Sequence, residues 1–225
     1  MNRIGLICSG GGAVMATAYD ILAGISRRPD WVVVTDRLCE AEQKARARGI
    51  PSKRVNDQNA DGFSIEAARW MFGEMNSACS ILLFTRLIGP AIFDARPCVN
   101  LHPSLLPLFP GLGALAATQA SGMTVMGATA HQVDQTTDGG PIVAQVWSPC
   151  PKNMETIQRV SFAQKLYLLL LLQEALTDGR AEVALNDLKT TGMRSGATAQ
   201  PTILDEEIHE AFGVFLTKEG IPWTM

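Results

Sequence analysis

Apolar residues in this chain come in compact runs separated by longer periodic stretches. Ile4-Gly5-Leu6-Ile7-Cys8, Trp31-Val32-Val33-Val34, Ser80-Ile81-Leu82-Leu83-Phe84 and Cys98-Val99-Asn100-Leu101 are each too short for a helix and too apolar for a surface loop. They predict buried strands. Between them, Ala13 to Arg28, Cys39 to Arg48 and Ile65 to Met75 have helical spacing, and Ser52 to Val55 suggests a short extra strand. Gly49 and Pro51 close the second helix. Nearly continuous apolar strands alternating with helices predict an α/β fold with a mostly parallel sheet flanked by helices.

The pattern changes after Pro110-Gly111. A helix is predicted over Ala114 to Ala120, then two loosely alternating strands, Thr124 to Val133 and Pro141 to Val146, around the polar turn Gln135 to Gly140. These form mixed or antiparallel C-terminal strands. Met154 to Leu176 predicts one long helix ending at Asp178-Gly179. A loose connection containing Gly192, Gly196 and Pro201 leads to a last helix around Asp205 to Phe215. The division expected is a main domain over 1–180 and a C-terminal extension over 181–225 packing on it. That tail either covers a substrate pocket or forms a homodimer contact.

The 225 residues carry a net charge of −3, which argues against a nucleic-acid binder relying on a basic surface. Five scattered cysteines without CxxC pairing suggest neither a disulfide framework nor a zinc site, and three histidines make a multi-histidine metal site unexpected. No metal is therefore predicted. Leu166 to Leu172 is too short to span a bilayer and no signal-type segment opens the chain, so the expectation is a soluble cytoplasmic protein without a membrane partner.

Pro103 and Pro107 end the fourth strand, because each lacks a backbone donor and fixes its own φ. Alternation sends Asn100 and His102 to one side of it. An amide and an imidazole converging on one point suit a carbonyl oxygen that is gaining negative charge. Asp138 lies in a Thr-Asp-Gly-Gly-Pro turn, where an aspartate is also a common turn former. His131 reads as a packed strand residue. Ser104 lacks a Gly-x-Ser-x-Gly elbow and is rejected as a nucleophile. The Ser9-Gly10-Gly11-Gly12 loop and Asp36 match part of a dinucleotide fingerprint, but Met15 occupies the third glycine position. A tight turn that lets a substrate approach the backbone is the preferred reading.

Asn100-Leu101-His102-Pro103-Ser104-Leu105-Leu106-Pro107, with Phe109-Pro110-Gly111 and Asp138-Gly139-Gly140-Pro141, resembles the folate-dependent formyltransferase family, above all its glycinamide ribonucleotide branch. The likeness runs from Met1 to about Leu176 and includes Thr85-Arg86-Leu87-Ile88. It implies a Rossmann-like formyltransferase fold with 10-formyltetrahydrofolate as co-substrate and a small-molecule amine as acceptor. Asn100, His102 and Asp138 match the family's catalytic groups. Arg86, Leu87 and Ile88, with Val133, Asp134 and Asp138, match the folate cradle. Gly10, Gly11, Gly12, Ala13, Pro103 and Gln164 match acceptor-binding positions.

The departures fall on the acceptor side. Ala13 and Val14 stand where that branch has a small hydroxyl residue and an asparagine that hold phosphate. Gly113-Ala114-Leu115 replaces a histidine-bearing segment, and Ser161 and Gln164 replace a glutamine and a glutamate. The expected acceptor is glycinamide ribonucleotide or, given the altered phosphate loop, another amine. The alternative is a formyltetrahydrofolate deformylase, which uses the same three groups with water; Gly127-Ala128-Thr129-Ala130-His131 resembles it, whereas the Asp138 turn differs from its usual form.

Overall fold

The computed structural model describes residues 3–177 and 199–223. Its strands are β1 (Ile4–Cys8), β2 (Trp31–Thr35), β3 (Ser52–Arg54), β4 (Cys79–Leu83), β5 (Cys98–His102), β6 (Val125–Gln132), β7 (Ile142–Pro149) and β8 (Ala199–Gln200). They form one sheet in the order β3-β2-β1-β4-β5-β6-β7-β8. The pairings from β3 through β5 are parallel, and those of β6, β7 and β8 antiparallel. β1 and β2 are buried at every position, as strands covered on both faces must be.

Helices cover both faces: α1 (Ala13–Gly24), α2 (Glu40–Ala47), α3 (Ala60–Ala68), α4 (Pro90–Phe93), α5 (Ala114–Ala120), α6 (Met154–Thr177) and α7 (Glu206–Glu219). One core layer joins Leu6, Ile81, Val99, Leu101, Met126, Ala128 and Ala130 to α1, α6 and α7. The opposite layer joins Ile7, Val34, Leu82 and Cys98 to Phe63, Met71 and Ile92. Leu166 to Leu172 is buried throughout and forms the heart of α6. Among the described residues no helix is long and apolar enough to cross a membrane.

Several boundaries differ from the sequence expectation. Helix α1 stops at Gly24 rather than Arg28: Ser26 takes φ 61°, and Arg28 precedes a proline, which disfavours helical backbone. Helix α3 begins five residues before Ile65, because the Asn59 side chain accepts the Asp61 amide at 2.8 Å and caps it. A π-helical turn (Arg69–Glu74) replaces its expected C-terminal half. The one-turn helix α4 and the two-residue strand β8 carry too little periodicity to be read. Helix α7 runs past Phe215 to Glu219 and ends at left-handed Gly220. The expected end of α6 at Asp178-Gly179 and the connection through Gly192 and Gly196 lie outside the described residues.

The described part of 181–225 is bound to the body at several points. β8 pairs with β7 at Gln145 and Val146. Tyr167 of α6, Phe212 and Trp223 form an aromatic cluster with centroids 5.4–6.0 Å apart. Arg27 pairs with Asp205 and Glu207.

The glycine loop is shaped by its neighbour α2. Gly12 has φ 60°, and a Cβ there would lie 2.5 Å from the Ala41 Cα. Gly12→Ala combines left-handed strain with a backbone clash; about 2 kcal/mol or more should be lost, read by chemical denaturation. Glu42, buried on α2, accepts hydrogen bonds from Arg54 at 2.8 and 3.0 Å and pairs with Arg46. The Arg54 hydrogen bonds outweigh the opposing effect of burial and hold this carboxyl below its ordinary value of 4.5. A depressed carboxyl stabilises the fold fully above its unfolded pKa and loses that contribution as pH falls through the folded one. The stability advantage of wild type over Glu42→Gln should therefore be constant above about pH 5.5 and shrink below about pH 4.5, measured by urea unfolding at several pH values.

Candidate active site

The site grows from the end of β5. Parallel pairing to β4 on one side and antiparallel pairing to β6 on the other place Asn100 opposite His131 and His102 opposite Thr129. Because Val99 and Leu101 face the α6 layer, Asn100 and His102 face the other way, together with Thr129 and His131. Thr129, fully buried, then clamps the proline-rich loop: its Oγ1 donates to the Ser104 carbonyl at 2.7 Å and accepts the Leu106 amide at 3.0 Å. Gln145 of β7 reinforces the clamp by donating to the Leu106 carbonyl at 2.9 Å.

Asp138 closes the cluster from the β6–β7 loop. It adopts φ 53°, a left-handed conformation that aspartate tolerates in turns. Gly140, two residues on in that turn, has no room for a side chain beside the Gln132 carbonyl. Asp138 Oδ1 accepts from Asn100 Nδ2 at 3.3 Å, and Oδ2 accepts the Gly111 amide at 2.7 Å. His102 Nδ1 lies 3.3 Å from Oδ2, and His131 Nε2 lies 3.4 Å from Oδ1. His102 is 4% exposed and the Asp138 side chain 12%, so these charges interact away from bulk water.

The other His102 nitrogen, Nε2, faces the Phe109 carbonyl at 2.9 Å. Both ring nitrogens thus face oxygen acceptors. With Nε2 against the loop carbonyl, Nδ1 is the nitrogen turned toward Asp138. The contacts of 3.2–3.4 Å within the cluster are long, leaving the donors free to turn toward an incoming oxygen.

His131 was read as a packed core residue, and sequence reasoning missed its place. It is buried, yet its Nε2 lies 3.2 Å from Asn100 Nδ2 and its Nδ1 lies 3.0 Å from the Gln132 carbonyl. Burial pushes this imidazole below its ordinary value of 6.5, more than the Gln132 carbonyl and Asp138 raise it. The available signal was strand pairing: in an antiparallel neighbour of β5, His131 falls on the same face as Asn100.

Other expected residues are placed apart. The Arg86 guanidinium bonds the Gln58 carbonyl at 2.7 Å and the Asp57 carbonyl at 3.2 Å, pairs with Asp36 at 3.3 Å and stacks over Phe63. It locks the β2 and β3 ends rather than reaching toward Asp138, whereas Leu87 behind it is largely exposed and Ile88 half-buried. Asp36 is buried; burial works to raise its carboxyl, but hydrogen bonds from Arg37 and Arg86 win and hold it low. Val133 donates its amide to the Cys98 carbonyl at 2.9 Å, and the exposed Asp134 carboxylate accepts the Thr136 amide at 2.7 Å. Pro103 is half-buried.

Gly10, Gly11 and Ala13 are exposed at the head of α1, with Gly12 half-buried between them, and Val14 lies in the core. Gln164 is fully buried on the α6 face, its Nε2 donating to Ser148 Oγ at 3.0 Å and to the Met126 carbonyl at 3.3 Å. It is not brought to the Asn100–His102–Asp138 cluster, which lies on the opposite face of the sheet. Ser104, 1% exposed, donates to the Leu108 carbonyl at 2.6 Å and so shapes the loop. Burial pushes the thiols of Cys8, Cys79 and Cys98 up to about 12, which keeps them protonated. Among the described residues, no group of three or more His, Cys, Asp or Glu side chains is arranged to hold a metal ion.

Comparison with known proteins agrees with this architecture. The chain is 30% identical over 188 residues to the phosphoribosylglycinamide formyltransferase of Mycobacterium tuberculosis, covering 79% of this chain and 86% of that enzyme. It is 31% identical over 199 residues to the methionyl-tRNA formyltransferase of Mycobacterium ulcerans, covering 84% of this chain but only 59% of the longer protein. The structure of glycinamide ribonucleotide transformylase 1 from Symbiobacterium toebii superposes with a TM-score of 0.69 at 26% identity, covering 91% and 95% of the two chains. A formyltetrahydrofolate deformylase from Pseudomonas syringae shares the fold, with a TM-score of 0.68 at 20% identity over 79% of this chain and 62% of that one. Residues 2–164 match the family described as formyl transferase, and the chain belongs to that family of enzymes.

Proposed function

We propose that this enzyme transfers the formyl group of 10-formyltetrahydrofolate to the primary amine of a small molecule, with Asn100, His102 and Asp138 carrying the chemistry. The observation that carries the reading is the Asp138 carboxylate lying between the Asn100 amide and the His102 ring at the end of β5. As the amine attacks the formyl carbon, the carbonyl oxygen becomes an oxyanion. Asn100 Nδ2–H and protonated His102 Nδ1–H stabilise it, the latter through a charge-assisted bond. Asp138 favours the imidazolium and, directly or through water, takes the proton that the attacking nitrogen must lose. The new carbon–nitrogen bond is completed as the bond to N10 of the folate breaks, and that nitrogen takes up a proton. No covalent enzyme intermediate is needed.

The surroundings fit a flat heteroaromatic co-substrate. Leu108 and Leu112 flank the two loop residues whose backbone bonds His102 and Asp138, and Ile142 pairs with His131; all three are left exposed. Exposed apolar side chains around a polar cluster supply walls for a ring system and aim for its reactive end. Leu87, Ile88, Val133 and Asp134 would complete the cradle, with Arg86 contributing through its backbone because its guanidinium is engaged elsewhere.

On the acceptor side the three glycines offer backbone amides, and the loop's hydroxyl, Ser9 Oγ, meets Thr85 Oγ1 at 3.2 Å. No side chain caps α1. Lys44 is turned to the Gly11 carbonyl at 2.6 Å and to Glu40 at 2.9 Å, so a carboxylate stands beside the loop with the ammonium. An acceptor phosphate there would forgo charged side-chain bonds worth about 1.5–3 kcal/mol each. This favours an amine other than glycinamide ribonucleotide.

Turnover of 10-formyltetrahydrofolate should be followed with and without glycinamide ribonucleotide, with tetrahydrofolate, formate and formylated amine quantified separately. The expected result is slow turnover in both mixtures and rapid turnover with another amine from a screen. Rapid nucleotide formylation would overturn the acceptor assignment, and rapid formate release without amine would make the enzyme a deformylase. Asn100→Ala should lower kcat about 10²–10³-fold and Asp138→Asn at least about 10²-fold, with folate binding retained by calorimetry. Ser104→Ala should stay within about tenfold of wild type, since its hydroxyl holds the loop and forms no bond to substrate.

A further inference from the structure

We propose that His131 is a positioning residue for this formyl transfer: in its Nδ1–H form it holds the Asn100 amide ready to donate, and a proton on Nε2 releases that amide. The kinetic part rests on the function proposed above, and the structural part on the geometry of the cluster alone.

The donor–acceptor order can be followed from one end of the cluster to the other. Asp138 Oδ1 is a carboxylate oxygen, so the Asn100 atom 3.3 Å away must be the amide nitrogen. That nitrogen's second hydrogen points to His131 Nε2 at 3.2 Å, which must then be unprotonated to accept it. The ring proton belongs on Nδ1, where the Gln132 carbonyl accepts it at 3.0 Å. Each hydrogen finds an acceptor: His131 fixes one and so orients the amide, and the other, on the long 3.3 Å contact to Asp138 Oδ1, is the one that turns to an incoming oxyanion. The neutral ring required is also the form that burial favours.

A proton on His131 Nε2 breaks this order. Two donors then face each other across the 3.2 Å contact, while Asp138 Oδ1, 3.4 Å from the same nitrogen, becomes its partner. Asp138 is drawn from His102, and the Asn100 amide is expelled or turned with its oxygen inward. The oxyanion loses its neutral donor. The charged groups facing His131 are His102 from β5 and Asp138 and Asp134 from the β6–β7 loop. The aspartates favour the imidazolium and His102 opposes it. The two histidines thus carry opposite requirements within one cluster: the proposed transfer calls on His102 as a donor and on His131 Nε2 as an acceptor.

Three proteins test this: wild type, His131→Gln, whose amide oxygen can accept from Asn100 but cannot titrate, and His131→Leu, which fills the buried position with an apolar side chain that has no acceptor. In wild type, imidazole nitrogen NMR near neutral pH should show His131 neutral with its proton on Nδ1. His131→Gln should keep kcat within about threefold at neutral pH and lose less activity than wild type as the pH is lowered below 6.5, because burial holds the His131 imidazole below that ordinary value. His131→Leu should lower kcat about 10–100-fold with the folate KM little changed, because the donor is misplaced and not removed. A proton on Nε2 in neutral wild type overturns the proposal, as does an unchanged acid limb in His131→Gln or an unchanged kcat in His131→Leu. If wild type formylates no amine, the functional reading fails, and the NMR result still decides the hydrogen-bond order on its own.

Discussion

The candidate chemistry depends on one register, the antiparallel pairing of β5 with β6. It sets Asn100 against His131 and His102 against Thr129. A slip of one residue would send the β6 side chains to the α6 face and leave Asn100 and His102 without neighbours. Thr129 makes such a slip costly: it is fully buried, and its hydroxyl bonds only in this register to Ser104 and Leu106 on the loop that follows β5. The strand pair and the loop therefore hold each other, and His102 is oriented by a carbonyl of that same loop.

Asp138 reaches the cluster from a loop outside the pairing, which explains the composition of its turn. Its own backbone is left-handed, Gly140 passes against the Gln132 carbonyl, and Asp134 ties the start of the turn to Thr136. These local terms bring one carboxylate between an amide and an imidazole. Once there, it accepts the Gly111 amide and so couples the two loops on either side of the site. This carboxylate meets the Asn100 amide, the Gly111 amide and both imidazoles at once, so it ties four groups to one point.

The central parallel strands β1, β2 and β4 were legible because they are buried on both faces and read as continuous apolar runs, and Asn100 with His102 followed from simple alternation. His131 was not, since its meaning lies in which strand sits beside β5, and pairing between distant segments leaves no local pattern. The direction of the Arg86 side chain was not legible either. Its position beyond β4 placed it near the site, but side-chain direction was decided by Asp36 and by the carbonyls of the β3–α3 connection. Gln164 likewise lies on a helix correctly read as buried, where facing Met126 and Ser148 takes it to the other side of the sheet. Short α4 and β8 escaped because one helical turn or two paired residues carry no period.

The two halves of the sheet divide the work. In the parallel half, the glycine loop presents backbone and is shaped by Gly12 against Ala41 of α2. In the antiparallel half, β5, β6 and the Asp138 turn present side chains, held by Thr129 and Gln145. The groups that would hold an acceptor and those that would move the formyl group thus sit on different elements with separate supports. Ala13 and Val14 take part in no hydrogen bond of the Asn100–His102–Asp138 cluster. Such separation lets the acceptor side diverge while the chemistry is kept, because changes at sites that share no partners add independently. The apolar loop and the intact cluster in one chain are therefore compatible: they answer to different constraints, and only the cluster depends on the β5–β6 register.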